Sequence, residues 1–379
     1  MRDGSMKVTS RRAPWLHTGA GSTSDAVAFT PRLTPRIGCW CVAILVLALA
    51  ACSKHDQAEV VLYTSCDDYL LREVIPAFEK QSDIKVLLVG DTEATKTTGL
   101  VQRLIAEKDH PRADVWWSNE PFGTMKLADE GLLKPFTPRE LAEDFRGAWP
   151  SGLSAADRTW YGFALRTRAL VCNTARVKPE DAPKGARELS DPKLNGRVGM
   201  ARPQFGTTRG HIAFIFATCG EEAFRFWLTG LKGNGVRLYD GNSAVVRAVS
   251  QGEIDVGLTD TDDVVAGQAQ KWPVGLILEA APSRGGPCSP GPLPIPNTVG
   301  IIAGSPHPAA AQALADFLLS EQVERMLAKS ESRNLPIRES LAREFAGKLP
   351  ISTVQTVDWA AIHRAEPAAM KACSDILGD

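Results

Sequence analysis

Short apolar segments alternate with amphipathic ones along most of this chain, and that alternation limits the fold more than any other feature. Glu59–Thr64 (EVVLYT), Lys85–Val89 (KVLLV) and Ala113–Trp117 (ADVWW) read as strands, rich in β-branched and aromatic residues. After the first of them, Leu70, Leu71, Val74, Ile75 and Phe78 recur at helical spacing. Thr97–Lys108 repeats that pattern, with Leu100, Leu104 and Ile105 on one face, and Phe122–Glu130 reads as a helix closed by Gly131. Strands that alternate with helices call for an α/β fold, a parallel sheet covered on both faces. Trp160–Phe163 and Arg168–Cys172 read as two strands crossing away from this unit. A second unit then starts at Arg197–Met200, with helices over Gly210–Cys219 and Glu221–Leu231. It continues as a strand (Val236–Leu238), a helix (Ser243–Ser250) and a strand (Ile254–Thr259). Residues 280–298 are crowded with Pro, Gly and Ser and read as a loop or crossing segment. Thr298–Ala303 reads as a strand returning to the sheet, followed by helices over Pro308–Leu319 and Glu321–Ser330. The tail from Ile337 is helical in pattern.

The chain has 379 residues, enough for two α/β lobes with a cleft between them, where ligand sites are favoured. A formal net charge of -1 argues against nucleic acid as a partner. Several enzyme signatures are missing. There is no Gly-x-Ser-x-Gly elbow, no phosphate loop ending in Gly-Lys-Ser/Thr and no His-x-x-x-His pair.

The first residues do not belong to the expected fold. Residues 1–35 are rich in Ser, Thr, Gly, Arg and Pro. Arg32 and Arg36 then precede an apolar run, Ile37 to Ala51, too short for a comfortable membrane span but suited to a signal peptide. Its end, Leu49-Ala50-Ala51-Cys52-Ser53, resembles the lipobox of bacterial lipoproteins. The resemblance implies cleavage before Cys52, lipid on that cysteine and a periplasmic protein anchored to the membrane. The true start is expected at Met6 or later. Beyond Cys52 lie Cys66, Cys172, Cys219, Cys288 and Cys373, an odd number in an oxidising compartment. One disulfide is expected, two at most, with the pairing open.

Carboxylates gather just after the strands. Asp67 and Asp68 follow the first, Asn119 and Glu120 the third, and Asp260, Asp262 and Asp263 follow Ile254–Thr259. Open α/β sheets bind ligands at the carboxyl ends of their strands. Acids converging in a cleft repel one another unless a cation is present. Three cations fit: a metal ion held by oxygens, an organic amine against Trp116, Trp117 or Trp160, or an internal Arg or Lys. Some of these acids serve only as helix caps. A cationic stretch, Arg202–Gly210, leads into a helix, where Thr207, Thr208 and Arg209 suit an anion and Arg166 and Arg168 add charge. His211 at the same helix start reads as structural.

The phrases LYTSCDDYL, PRADVWWSNEP, RALVCNT and GNSAVVRAVSQGEIDVGLT, in this order, resemble the periplasmic solute-binding proteins of the iron(III)-type ABC transporters. The resemblance runs from about residue 59 to 345. It implies a two-lobed, hinge-bending type II periplasmic binding fold that works without catalysis and delivers its ligand to a permease and its ATPase. Members take ferric iron, organophosphonates or sugar phosphates. Their ferric site includes an adjacent tyrosine pair, whose positions correspond here to Asp262 and Asp263. A histidine corresponds to Asp67, and a glutamate to Asn119, with Glu120 beside it. Cation-side ligands are therefore expected at Asp67, Asn119, Asp262 and Asp263, with Asp67, Asp262 and Asp263 as the metal set. Arg166, Thr207, Thr208 and Arg209 are expected on the anion side. Apart from a metal ion bound as ligand, no cofactor is expected, and the chain is expected to be a monomer. The expected boundaries are a signal region 1–51, a lipidated tether 52–58, a first lobe 59–165 with 298–335, a second lobe 166–297 and a helical segment 336–379. A metal-dependent hydrolase or a periplasmic sensory binder on the same fold is the alternative.

Overall fold

The computed structural model describes residues 57–91, 97–280, 288–351 and 355–378; the apolar run and Cys52 lie outside them. β1 (Glu59–Thr64) lies parallel between β2 (Lys85–Gly90) and β3 (Val115–Ser118), and β10 (Pro294–Ile302) joins β3 antiparallel. The short β4 (Leu133–Lys134) extends β10. In the second half, β6 (Val198–Ala201) lies parallel between β7 (Arg237–Tyr239) and β8 (Val256–Asp260). β9 (Val274–Ile277) pairs antiparallel with β5 (Trp160–Asn173), the strand common to both halves.

β5 replaces the two strands expected at Trp160–Phe163 and Arg168–Cys172. It pairs with β10 from Trp160 to Thr167, then with β8 from Arg168 to Cys172. All of it is buried. The expected gap covered residues 164–167, and with them the polar Arg166 and Thr167. Arg166 donates to the Asn119 carbonyl at 2.5 Å, and the backbone N–H of Thr167 reaches the Thr261 hydroxyl at 3.3 Å. Ala164, at φ 45°, sits opposite a register shift between Pro296 and Asn297. Such a bulge bends a strand and strengthens its twist. The stretch 280–298, read as a loop or crossing segment, is strand from Pro294, where β10 starts. Pro294 and Pro296 fit there because that end of β10 has a partner on one side only, where a missing N–H costs nothing.

Each half has its own apolar core. In the first, α1 (Asp68–Ser82), α9 (Pro308–Leu318) and α10 (Glu321–Lys329) pack against β1, β3 and β10. In the second, α5 (Gly206–Cys219), α6 (Glu221–Gly233) and α12 (Trp359–Leu377) pack together beside β6 and β8. The last helix of the tail that sequence left unplaced is therefore part of the second core, while Leu341, Phe345 and Ile351 pack in smaller clusters of their own. Trp116 and Trp117 alternate across β3 into two clusters, and neither is exposed. Trp160 is 5% exposed, so the expected aromatic wall does not form. Each ring goes to the core because the sheet is covered on both faces.

One disulfide, Cys219–Cys288, is present among the described residues, closing a separation of 69. Loop-closure entropy for that length is worth about 4 kcal/mol, an upper estimate for engineered cases. Reduction is expected to lower the urea midpoint by an amount equal to about 2–4 kcal/mol, read from denaturation curves with and without a phosphine reductant. Curves that superimpose would show the bridge to be energetically idle.

A candidate ligand cleft at the strand ends

Several of the polar strand ends meet in one open cavity. Asp67 comes from the end of β1 and Asn119 from the end of β3. Gly206, Thr207 and Thr208 open α5 after β6. Asn242 and Ser243 open α7 (Asn242–Gln251) after β7, and Asp262 and Asp263 open α8 (Thr261–Ala269) after β8. Thus α1, α5, α7 and α8 all begin at this cavity. None of their N-caps, Asp67, Phe205, Gly241 and Asp260, caps its own helix through the side chain. Helix N-termini carry partial positive charge and unmatched N–H groups. That field eases the crowding of carboxylates and also suits an anion.

Asp260 is the buried hub of the second-lobe wall. Its Oδ1 accepts from Arg168 at 2.6 Å, while Oδ2 accepts from the Thr207 hydroxyl at 2.6 Å and the Asn242 amide at 3.1 Å. Burial alone raises its pKa. The Arg168 and Arg166 guanidiniums and the Thr207 bond outweigh burial and hold the carboxyl below its usual range. Arg168 is fully buried and also donates from Nε to His211 Nδ1 at 3.3 Å. That bond makes Nδ1 an acceptor, so the imidazole is neutral. Burial, then the Arg168 charge, keep the His211 pKa well below the ordinary value. His211 therefore belongs to the scaffold of the cleft.

Beyond His211 lies Glu279, 3.8 Å from Nε2 and pushed up to about 7 by burial. Between about pH 4.5 and 7 the folded chain holds a proton that the unfolded chain has released. Stability is therefore expected to fall as pH rises through that window, by an amount on the order of 3 kcal/mol for this group. Glu120, also pushed up to about 7 by burial, adds to the same slope. Glu279→Gln is expected to remove roughly half of it, read as urea midpoints against pH.

Arg166 is the internal cation that sequence offered as one alternative. It rises from β5, donates to the Asn119 carbonyl on the first lobe and sits 3.3 Å from Asp262 and 3.6 Å from Asp260 on the second. Among the described residues that line the cavity, Asp67, Asp240, Asp260, Asp262 and Asp263 outnumber Arg166, with Arg168 beside Asp260 and Arg202 paired to Asp240 at the rim. One oxygen from each of Asp260, Asp262 and Asp263 lies within 4.8 Å of the others, a spacing that suits a hard cation. Asp67 lines the cavity outside that group. The half-buried Tyr69 phenol senses the same charge. Burial first, then Asp262, Asp67 and Asp263, raise its pKa well above the ordinary value, with Arg166 opposing.

Two expected ligands lie elsewhere. Glu120 caps α3 (Pro121–Asp129), accepting from Phe122 N at 2.6 Å and Gly123 N at 2.9 Å, so its carboxylate turns away from the cleft. Arg209 pairs with Glu366 of α12 outside it. One helical residue turns about 100°, so a helix that aims Thr207 at the cleft aims Arg209 away. Thr207 and Thr208 do line the cavity, but their hydroxyls are engaged by Asp260 and Asn242. Asp68 is an exposed first-turn residue of α1. Sequence reasoning missed Asp240, Asn242 and Ser243. Their signal was the same polar step between a strand and a helix that marked Asp67.

Two α/β halves sharing one crossing strand, with a polar cleft at the strand ends, define a two-lobed binding protein of the type II periplasmic kind. A family model for bacterial extracellular solute-binding proteins matches residues 62–330, and the chain belongs to that family. It is 27% identical over 301 residues to Iron uptake protein A1 of a Synechocystis species, covering 76% of this chain and 79% of that one. It is 30% identical over 217 residues to the Major ferric iron-binding protein of Neisseria meningitidis, covering 57% of this chain and 62% of that protein. Iron-bound HitA from Pseudomonas aeruginosa shares the fold with a TM-score of 0.70 at 24% identity, over 84% of this chain and 99% of that one. The family places the chain among the solute-capturing components of ABC importers and not among enzymes. The hydrolase alternative has no support in it.

Proposed function

We propose that this protein captures a ligand that carries both signs of charge, and that Asp67, Asn119, Asp262 and Asp263 hold the cationic part. A hard metal ion with its accompanying oxyanion, ferric iron by analogy with the relatives, meets this description, as does a zwitterionic phosphonate. The observation that carries the reading is the division of the cavity. Among the described residues its carboxylates outnumber its guanidiniums, yet two of its helices, α5 and α7, begin there without an acidic side chain in the first turn. The anionic part then rests on the N–H groups at Gly206–Thr208 and Asn242–Ser243, with Arg166 alongside. In this reading Asp262 and Asp263 stand where ferric relatives carry a tyrosine pair, so carboxylates replace phenolates. Carboxylates are hard donors and accept Mn²⁺ or Mg²⁺ as readily as ferric iron.

The lobes meet along β5 and β10, and the division at Arg166–Arg168 serves as the hinge in this reading. A ligand shared by Asp67 and Asn119 of one lobe and Asp262 and Asp263 of the other favours closure, and the closed form docks on the permease. Cys52 carries the lipid that keeps the monomeric chain at the membrane. Native mass spectrometry with metal analysis on protein purified from its own host, followed by calorimetry with ferric citrate, Mn²⁺, Mg²⁺ and an aminoalkylphosphonate, tests the reading. One ligand per chain of either class supports it. Protein that arrives empty and gives neither heat nor a melting shift with any of the four overturns it.

A further inference from the structure

We propose that α12 is a proton-operated latch between the lobes, with His363 joining it to the first lobe. α12 packs on α5 and α6 of the second lobe, yet its first half also meets α3 of the first. There the Phe122 ring stands edge-on to Trp359, with centroids 5.8 Å apart, and reaches into the second-lobe core. It lies so close to α5 that a methyl group at Gly210 would overlap it. Beside this apolar contact runs a polar chain that crosses from lobe to lobe. Asp129 of α3 is 2.9 Å from His363 Nε2, Glu366 is 3.7 Å from His363 Nδ1, and Glu366 pairs with Arg209 of α5.

Both imidazole nitrogens thus face carboxylates. A neutral imidazole has one N–H and would turn a lone pair toward one of them; only the imidazolium offers a proton to each. When His363 is charged the chain alternates in sign, from Asp129 through His363 and Glu366 to Arg209. Among the described residues, the other ionisable groups that line a small cavity with Arg209 and Glu366 are Lys126 on α3 and Glu120 at its cap, the latter pushed up to about 7 chiefly by burial. The pKa of His363 is raised, by the nearby Glu366 carboxylate first and by Asp129 next, with burial opposing. The sign follows: the contact is strongest below the ordinary histidine pKa and is lost as pH rises through the raised one. If His363 titrates one unit higher with the lobes apposed than parted, the ratio of the two arrangements shifts about tenfold.

The test needs no ligand, so it stands apart from the identity of what the cleft binds. Spin labels at Lys80→Cys on α1 and Arg247→Cys on α7, both exposed, report interlobe distance by pulsed electron resonance. In otherwise wild-type protein the shorter-distance fraction is expected to be greater at about pH 5.5 than at about pH 8.5, the two sides of histidine titration. His363→Gln and, independently, Asp129→Asn are expected to flatten that response. Both positions are partly exposed, so the fold tolerates the change. A distance distribution indifferent to pH, or a pH response that survives in both variants, overturns the latch.

Discussion

Asp262→Asn with Asp263→Asn is expected to weaken ligand binding at least about 100-fold, roughly 2.7 kcal/mol. The two carboxylates begin α8, and with Asp260 they make the one site where three oxygens converge within 4.8 Å among the described residues. Asp260 is committed to Arg168, Thr207 and Asn242, and in the proposed function the pair supplies the charge that a ligand meets. Asparagine keeps shape and an acceptor oxygen but loses that charge. The ligand-induced rise in melting temperature should vanish at concentrations that saturate the wild type. A second signal comes from Tyr69, whose phenol is held protonated partly by these carboxylates. Its ultraviolet titration should move down toward the ordinary range in the variant. Unchanged affinity in calorimetry would remove Asp262 and Asp263 from the ligand set.

Arg168→Met should cost about 3–5 kcal/mol of stability, the usual penalty for leaving one charge of a buried pair alone. Asp260 would lose its closest cation while remaining 2% exposed. Thr207, Asn242 and His211 would each lose a guanidinium bond as well. Against a total stability of about 5–15 kcal/mol, this is a large fraction. Adding Asp260→Asn should recover part of the loss, because the pair is coupled. Urea midpoints of the two single variants and the double one measure this. An Arg168→Met protein within about 1 kcal/mol of wild type would mean that Arg166 alone sustains Asp260.

The alternation of apolar strands and helices was enough to read the two α/β halves, because each strand is short and each helix shows its buried stripe. The convergence of Asp67, Asn119, Thr207, Thr208, Asp262 and Asp263 was equally legible, since parallel strands deliver their far ends to one edge. Local pattern failed where tertiary partners decide. Arg166 and Thr167 interrupt an apolar run, and the partners that Arg166 finds there, Asn119, Asp260 and Asp262, lie far away in sequence. Pro294 and Pro296 look like loop residues until β5 is seen as their sole neighbour. Glu120 and Arg209 stand next to true cleft residues, yet one caps α3 and the other turns toward α12. Adjacency in sequence does not fix the direction of a side chain at a helix start.

Because β5 belongs to both halves and bears Arg166 where they join, the cleft and the crossover are not separate parts. In the proposed function, a cation drawn to Asp262 competes with the guanidinium that also holds the Asn119 carbonyl. Filling the pocket therefore changes what restrains the crossover, and bending the crossover changes what the pocket offers. Substitutions along β5 should thus alter how fast ligand leaves even where they touch none of it.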